Sequence, residues 1–189
     1  MNDTTKKQIL KLIHQEVIPA IGCTEPIAVA LAAAKAAELL GKKPEKIDVY
    51  LSANILKNAM GVGIPGTGMV GLPIAIALGV LIGKSSYELE VLRDVTPEAL
   101  EAGKQMIHDQ IIHIALKENV DKLYIEVVCQ AGESKSVAII AHEHTRFVYC
   151  AKDDQVLLDE RKSLEHTEEG EEEELKLSFN LVYDFAIHT

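Results

Sequence analysis

Between Asn58 and Gly83 the chain carries no charged side chain. A run of that length cannot face water throughout, so it constrains the fold more than any other segment. Its first half holds Gly61, Gly63, Gly66, Gly68, Gly71 and Pro65, residues of turns and of close backbone approach. Its second half, Leu72 to Ile82, is apolar on every side, as in a helix buried all round. That half is too short to cross a bilayer, which takes about 20 residues. The run therefore reads as a glycine-rich loop feeding a buried helix, with no membrane as partner.

The flanking elements follow from their spacing. Ile9, Leu10, Ile13 and Val17 have helical spacing, and the alanine-rich Ile27 to Leu40 segment reads as a buried helix ended by Gly41. Lys46 to Ala53 alternates like a strand, and Ser52 to Met60 makes a short helical turn. Thr96 and Pro97 open a helix to His108, whereas Tyr87 to Arg93 is ambiguous. From Ile111 the period changes. Ile111 to Leu116, Leu123 to Cys129, Ser136 to Ala141 and Arg146 to Cys150 are short β-type runs, with Val156 to Leu158 as a further candidate. Their short links predict an antiparallel meander. The expected fold is α+β, with helices packed on a mainly antiparallel sheet and the glycine-rich loop between a strand and a buried helix. Aromatic residues make up 4% of the chain and there is no Trp, so the core must be aliphatic.

A net charge of −10 argues against nucleic acid as a partner, since phosphate contacts need clustered Lys and Arg. Part of that charge is the acidic run Glu168, Glu169 and Glu171 to Glu174, expected as a solvated loop. The predicted organisation is a domain over 1–160, an acidic link over 161–176, and the start of a helix over 177–189. Leu177, Leu181, Val182 and Phe185 follow Ser178 at helical spacing. That apolar face calls for a covering surface: the domain's own core, a further region of chain, or a second copy in a homodimer. The three cysteines, Cys23, Cys129 and Cys150, are odd in number, form no CxxC pair and follow no signal peptide. Free thiols in the cytoplasm are expected.

Three constellations can carry chemistry. Cys23 lies in Gly22-Cys23-Thr24-Glu25-Pro26 at the start of a helix, where backbone N–H groups favour a thiolate. It is either a reactive thiol or a small buried packing residue beside a Thr24 cap. The second runs from Asn54 through Lys57 and Asn58 to Gly61, Gly63, Pro65, Gly66, Thr67 and Gly68. It suits a small anion or amino acid, held by backbone N–H groups and by the donors of Asn54, Lys57 and Asn58. Its Gly61 to Gly66 part also matches GxGxxG, a fingerprint of dinucleotide binding only where it joins a strand to a helix. The third is His142-Glu143-His144-Thr145-Arg146, either a metal-binding pair on a strand or a polar turn.

The Gly22 to Pro26 motif, the Asn54 to Gly68 segment and His144-Thr145, in that order, resemble the N-terminal part of L-cysteine desulfidase and its L-serine dehydratase-like relatives. These are iron–sulfur lyases that eliminate across Cα and Cβ of an amino acid to give pyruvate and ammonia. The resemblance implies a 4Fe-4S cluster in the complete enzyme, with Cys23 as one ligand and the others outside this chain. It implies L-cysteine or L-serine as substrate, contacted by Thr24, Glu25, Asn54, Asn58, Gly61, Gly63, Gly66, Thr67, Gly68, His144 and Thr145, with Lys57 as candidate base. The lone chain would then be inactive and depend on a C-terminal catalytic region or partner chain. The competing readings are a non-catalytic interaction or regulatory domain and a nucleotide-binding oxidoreductase.

Overall fold

The structure is a computed structural model that describes residues 2–17, 19–161 and 177–188. The acidic run Glu168 to Glu174 lies outside the described residues, as does nearly all of the expected link. Two compact units are present. The smaller contains helices near the two ends of the chain. Of these, α1 (Asp3–Glu16) is capped by the Asn2 side chain, which accepts the Thr5 N–H at 2.7 Å. The other, Phe179–His188, has the Ser178 hydroxyl accepting the Leu181 N–H at 3.2 Å. It leaves Phe179, Val182, Tyr183 and Ile187 exposed.

The larger unit holds α2 (Thr24–Leu40), β1 (Lys46–Leu51), α3 (Ala53–Ala59), β2 (Gly63–Ile64), β3 (Met69–Val70), α4 (Leu72–Ile82), a 3-10 segment (Ser85–Glu90) and α5 (Pro97–His108). These are followed by β4 (Ile112–Leu116), β5 (Tyr124–Ala131), β6 (Ser134–Ala141), β7 (Phe147–Lys152) and β8 (Gln155–Asp159). The helix Phe179–His188 is α6.

The sheet runs in the order β4-β1-β5-β6-β7-β8, and every pairing is antiparallel except β4 with β1. The α+β expectation holds, and β5 to β8 form an antiparallel meander, but the meander expected from Ile111 onward loses its first strand: β4 pairs parallel with β1 and is not a neighbour of β5. The position of β1 was not legible: it inserts between β4 and β5, pairing Val49 with Ile114 on one side and Val127 on the other. The chain between β1 and β4 has room for such a parallel crossover because it contains α3, α4 and α5.

Helix α2 packs on β5, β6 and β7, and α4 packs on α2. Every residue from Ile27 to Ala34 is fully buried. An alanine-rich helix suits this position because small side chains let neighbouring backbones approach. The approach is closest at Gly79 of α4, where a Cβ would stand 2.4 Å from the carbonyl oxygen of Ala30. One turn later, a Cβ on Gly83 would stand 2.7 Å from the Ala34 Cβ. The uncharged run thus delivers α4 to the core, as its composition predicted. Among the described residues, no helix is long and apolar enough to cross a membrane.

Candidate functional site

The start of α2 gathers the chemistry. Cys23 is the N-cap residue, with extended backbone (φ −70°, ψ 134°), and its side chain makes no capping hydrogen bond. The thiol is exposed, which removes the reading of Cys23 as a buried packing residue. It donates to Oε2 of Glu25 at 3.0 Å. The Thr24 hydroxyl donates to the same oxygen at 3.3 Å, and Nδ2 of Asn58 donates to Oε1 at 3.4 Å. The carboxylate is therefore held by three donors from two segments far apart in sequence. Hydrogen bonding by Cys23 is the largest effect on the Glu25 carboxyl, which sits below its ordinary range, and the charge of His144 adds to this. The same bond, followed by partial desolvation, pushes the Cys23 thiol up. The N-terminus of α2 does not win over this adjacent carboxylate, so the resting group is a thiol rather than a thiolate.

The glycine loop supports this turn. Gly22 has φ +91°, and a Cβ there would stand 2.7 Å from Cγ of Pro65, so the cysteine turn and the loop are fitted to each other. The Ile21 N–H donates to the Leu89 carbonyl at 3.1 Å, which braces the turn from its other side. Within the loop, β2 and β3 form a small antiparallel hairpin that was not legible from composition. Its turn is closed by Thr67, whose hydroxyl donates to the Ile64 carbonyl at 2.7 Å and accepts the Met69 N–H at 2.9 Å. Thr67 is buried and thereby committed to the loop itself. Gly66 and Gly68, both at positive φ, make the turn. A Cβ on Gly61, Gly63 or Gly68 would meet nothing within 4 Å, so these three line open space.

Other candidates are placed elsewhere. Asn54 and Lys57 line a separate surface cavity with the β4–β5 connection. His142 turns to Asp121, with Nε2 3.6 Å from Oδ2, so it parts from His144 near Glu25. Thr145 is half-buried in the β6–β7 turn. Among the described residues, no group of three or more His, Cys, Asp or Glu is placed to hold a metal ion. The GxGxxG match fails as a dinucleotide fingerprint, because the loop joins α3 to α4 through a hairpin instead of a strand to a helix. The bracing role of Leu89 carried no sequence signal.

The other two thiols contrast with Cys23. Cys129 is fully buried on β5, and burial pushes its thiol up to about 12. Cys150 is buried on β7 and is also pushed up, chiefly by burial. A buried thiol stabilises the fold below its unfolded pKa of about 8.5, and that contribution is lost as pH rises towards the folded value. A disulfide-exchange reagent at pH 8 should therefore label one thiol in the native chain within seconds. The remaining two should react at least tenfold more slowly, or only in denaturant. A Cys23→Ser chain should lose the fast phase, and a fast phase that survived would contradict the assigned exposure.

Fold and site together define an α+β unit with an exposed thiol hydrogen-bonded to a carboxylate at a helix start. No family model and no solved structure matches the chain. It is similar to the UPF0597 protein of Parabacteroides distasonis, with 65% identity over 99% of this chain and 44% of that relative. The UPF0597 protein of Bacteroides thetaiotaomicron is 64% identical over 99% of this chain and 43% of its own length. That of Porphyromonas gingivalis is 50% identical over 100% and 45%. The chain thus spans less than half the length of these curated relatives. Their names overturn the resemblance drawn from the short motifs. The relatives that match nearly the whole chain are named UPF0597 proteins, not L-cysteine desulfidases or L-serine dehydratases. The identification as the N-terminal part of an iron–sulfur lyase, inactive by truncation, is therefore withdrawn. A few residues around one cysteine and a glycine loop carried it, and alignment over the whole chain weighs more.

Proposed function

We propose that the start of α2 is a recognition site for a small amino acid, with Glu25 taking the ammonium group and the Cys23 thiol facing the ligand's side chain. The observation that carries this reading is the fixed carboxylate of Glu25, oriented by Cys23, Thr24 and Asn58. A carboxylate held by three donors is pre-organised for a cation, because little side-chain freedom remains to be lost on binding. The loop that carries Gly61, Gly63 and Gly68 is fitted to the cysteine turn through Pro65 and Gly22, and its open backbone offers N–H groups to a ligand carboxylate. L-cysteine and L-serine, with short polar side chains, suit the polar groups of Cys23, Thr24 and Asn58 around Glu25. Binding an ammonium to Glu25 would also relieve the effect that holds the Cys23 thiol protonated.

Titration calorimetry with L-cysteine, L-serine and 3-mercaptopropionate tests the reading. The two amino acids should bind saturably, and 3-mercaptopropionate, which lacks the ammonium group, at least tenfold more weakly. Glu25→Gln should weaken amino-acid binding by a similar factor. Equal binding with and without the ammonium group, or no loss in Glu25→Gln, would overturn it.

A further inference from the structure

A second polar feature lies apart from the Glu25 cluster. Asn54 and Lys57, at the start and the last turn of α3, face the β4–β5 connection across a surface cavity of about 560 Å³. The far wall contributes Lys117, Glu118, Asn119, Asp121 and Lys122. The two walls are tied together at their base. The buried Ser52 hydroxyl donates to the Lys122 carbonyl at 2.6 Å, and the Ser52 N–H donates to the Tyr124 carbonyl at 3.1 Å. At the other end of the connection, the Lys117 N–H donates to the Leu51 carbonyl at 2.8 Å. Asn119 adopts a left-handed conformation (φ +58°) midway along it.

The charges in this cavity are unevenly matched. Lys117 is paired with Glu126, Asp121 faces His142, and Glu118 adds a second carboxylate to the lining, against the three lysines Lys57, Lys117 and Lys122. Among the described residues, the ammonium groups of Lys57 and Lys122 have no carboxylate within ion-pairing distance. Lys42 and Lys43 also line a surface cavity without an ion pair among the described residues, so what distinguishes this one is the pair of carboxamides beside its lysines. Lysines act as point charges with rotatable donors, and the Asn54 and Asn119 carboxamides add directional donors between them. The volume is that of a small-molecule site, roughly 300–1,000 Å³.

We infer that this cavity binds a small dianion, of the phosphate monoester class, between Lys57 and Lys122. A phosphate matches the site because it accepts from several donors at once and carries enough charge for both lysines. The site is separate from Glu25 and stands whether or not that carboxylate recognises an amino acid.

Inorganic phosphate is the probe. The full chain, labelled with 15N, is titrated at constant ionic strength, with chloride as the matching salt. Saturable shifts are expected at the amides of residues 53–57 and 117–122, with those of Thr24 and Glu25 unmoved. The double substitution Lys57→Gln and Lys122→Gln should weaken phosphate at least tenfold. Its dispersed spectrum elsewhere would show that it remains folded. Should the double variant not fold, Asn119→Gly, which keeps the left-handed backbone and removes the carboxamide, serves instead, with an expected loss of about threefold or more. Linear, unsaturating shifts, or saturable shifts unchanged by the substitutions, would overturn the inference.

Discussion

Gly79→Ala is expected to destabilise the chain, although alanine is the better helix former. Helix propensity alone would return about 1 kcal/mol for replacing a glycine inside α4. The added methyl, however, would stand 2.4 Å from the backbone carbonyl of Ala30, on a helix buried from end to end of that contact. Backbone on both sides cannot rotate away as a side-chain tip could. Overpacking costs about 1–3 kcal/mol, and this geometry places it at the upper end. The net loss should be about 2 kcal/mol, lowering the thermal midpoint by about 4–8 °C for a chain of this size. Thermal unfolding followed by circular dichroism decides it. A midpoint equal to or above that of the parent would mean that α2 and α4 are not in this contact.

Glu25→Gln is expected to make Cys23 more reactive. The carboxylate accepts the thiol proton at 3.0 Å and opposes a second negative charge beside it. A unit charge about 4 Å away is worth about 1 kcal/mol in water-like surroundings, or roughly fivefold in thiolate population. Alkylation by iodoacetamide near pH 7.5 should therefore accelerate about fivefold, and the midpoint of its rate–pH profile should fall. The sign follows from the raised thiol: removing what raises it moves ionisation to lower pH, where the helix N-terminus also favours the thiolate. An unchanged or slower rate would show that Glu25 does not control the thiol.

The parts of the fold that were legible share a cause. Helix α4 announced itself because burial on all sides leaves no room for charge, and the chain between Asn58 and Gly83 has none; α2 did so through the uncharged alanine-rich run Ile27 to Ala34. Strands β5 to β8 were legible because short turns separate them, and neighbours in sequence then become neighbours in the sheet. The place of β1 was not legible, since its partners Ile114 and Val127 lie more than sixty residues away and pairing at that range leaves no local pattern. The site divided in the same way. The Gly22 to Glu25 turn stood out as a motif, and Asn58 was a candidate beside it. That Asn58 reaches Glu25 while Lys57 faces another cavity depends on which way α3 turns, which a short helix does not encode by periodicity. Thr67 was read as a ligand contact because of its position among glycines, yet its hydroxyl is occupied in closing the hairpin. The family resemblance failed for a related reason. Motifs of five residues report a local turn, and similar turns serve different proteins.

The insertion of β1 between β4 and β5 also bears on how the chain is made. While the ribosome is still synthesising the middle of the protein, β1 has no partner on either side, and α2 has no sheet to cover its apolar surface. β4 offers β1 a neighbour on one side from Leu116, but the antiparallel partner of β1 is complete only past Ala131, and α2 also awaits β6 and β7. At about 5–20 residues per second, that leaves several seconds in which an aliphatic helix and an unpaired strand are exposed. Nascent chains stalled before β5 should accordingly be sensitive to proteases and bound by chaperones, and those stalled beyond Asp159 should be resistant.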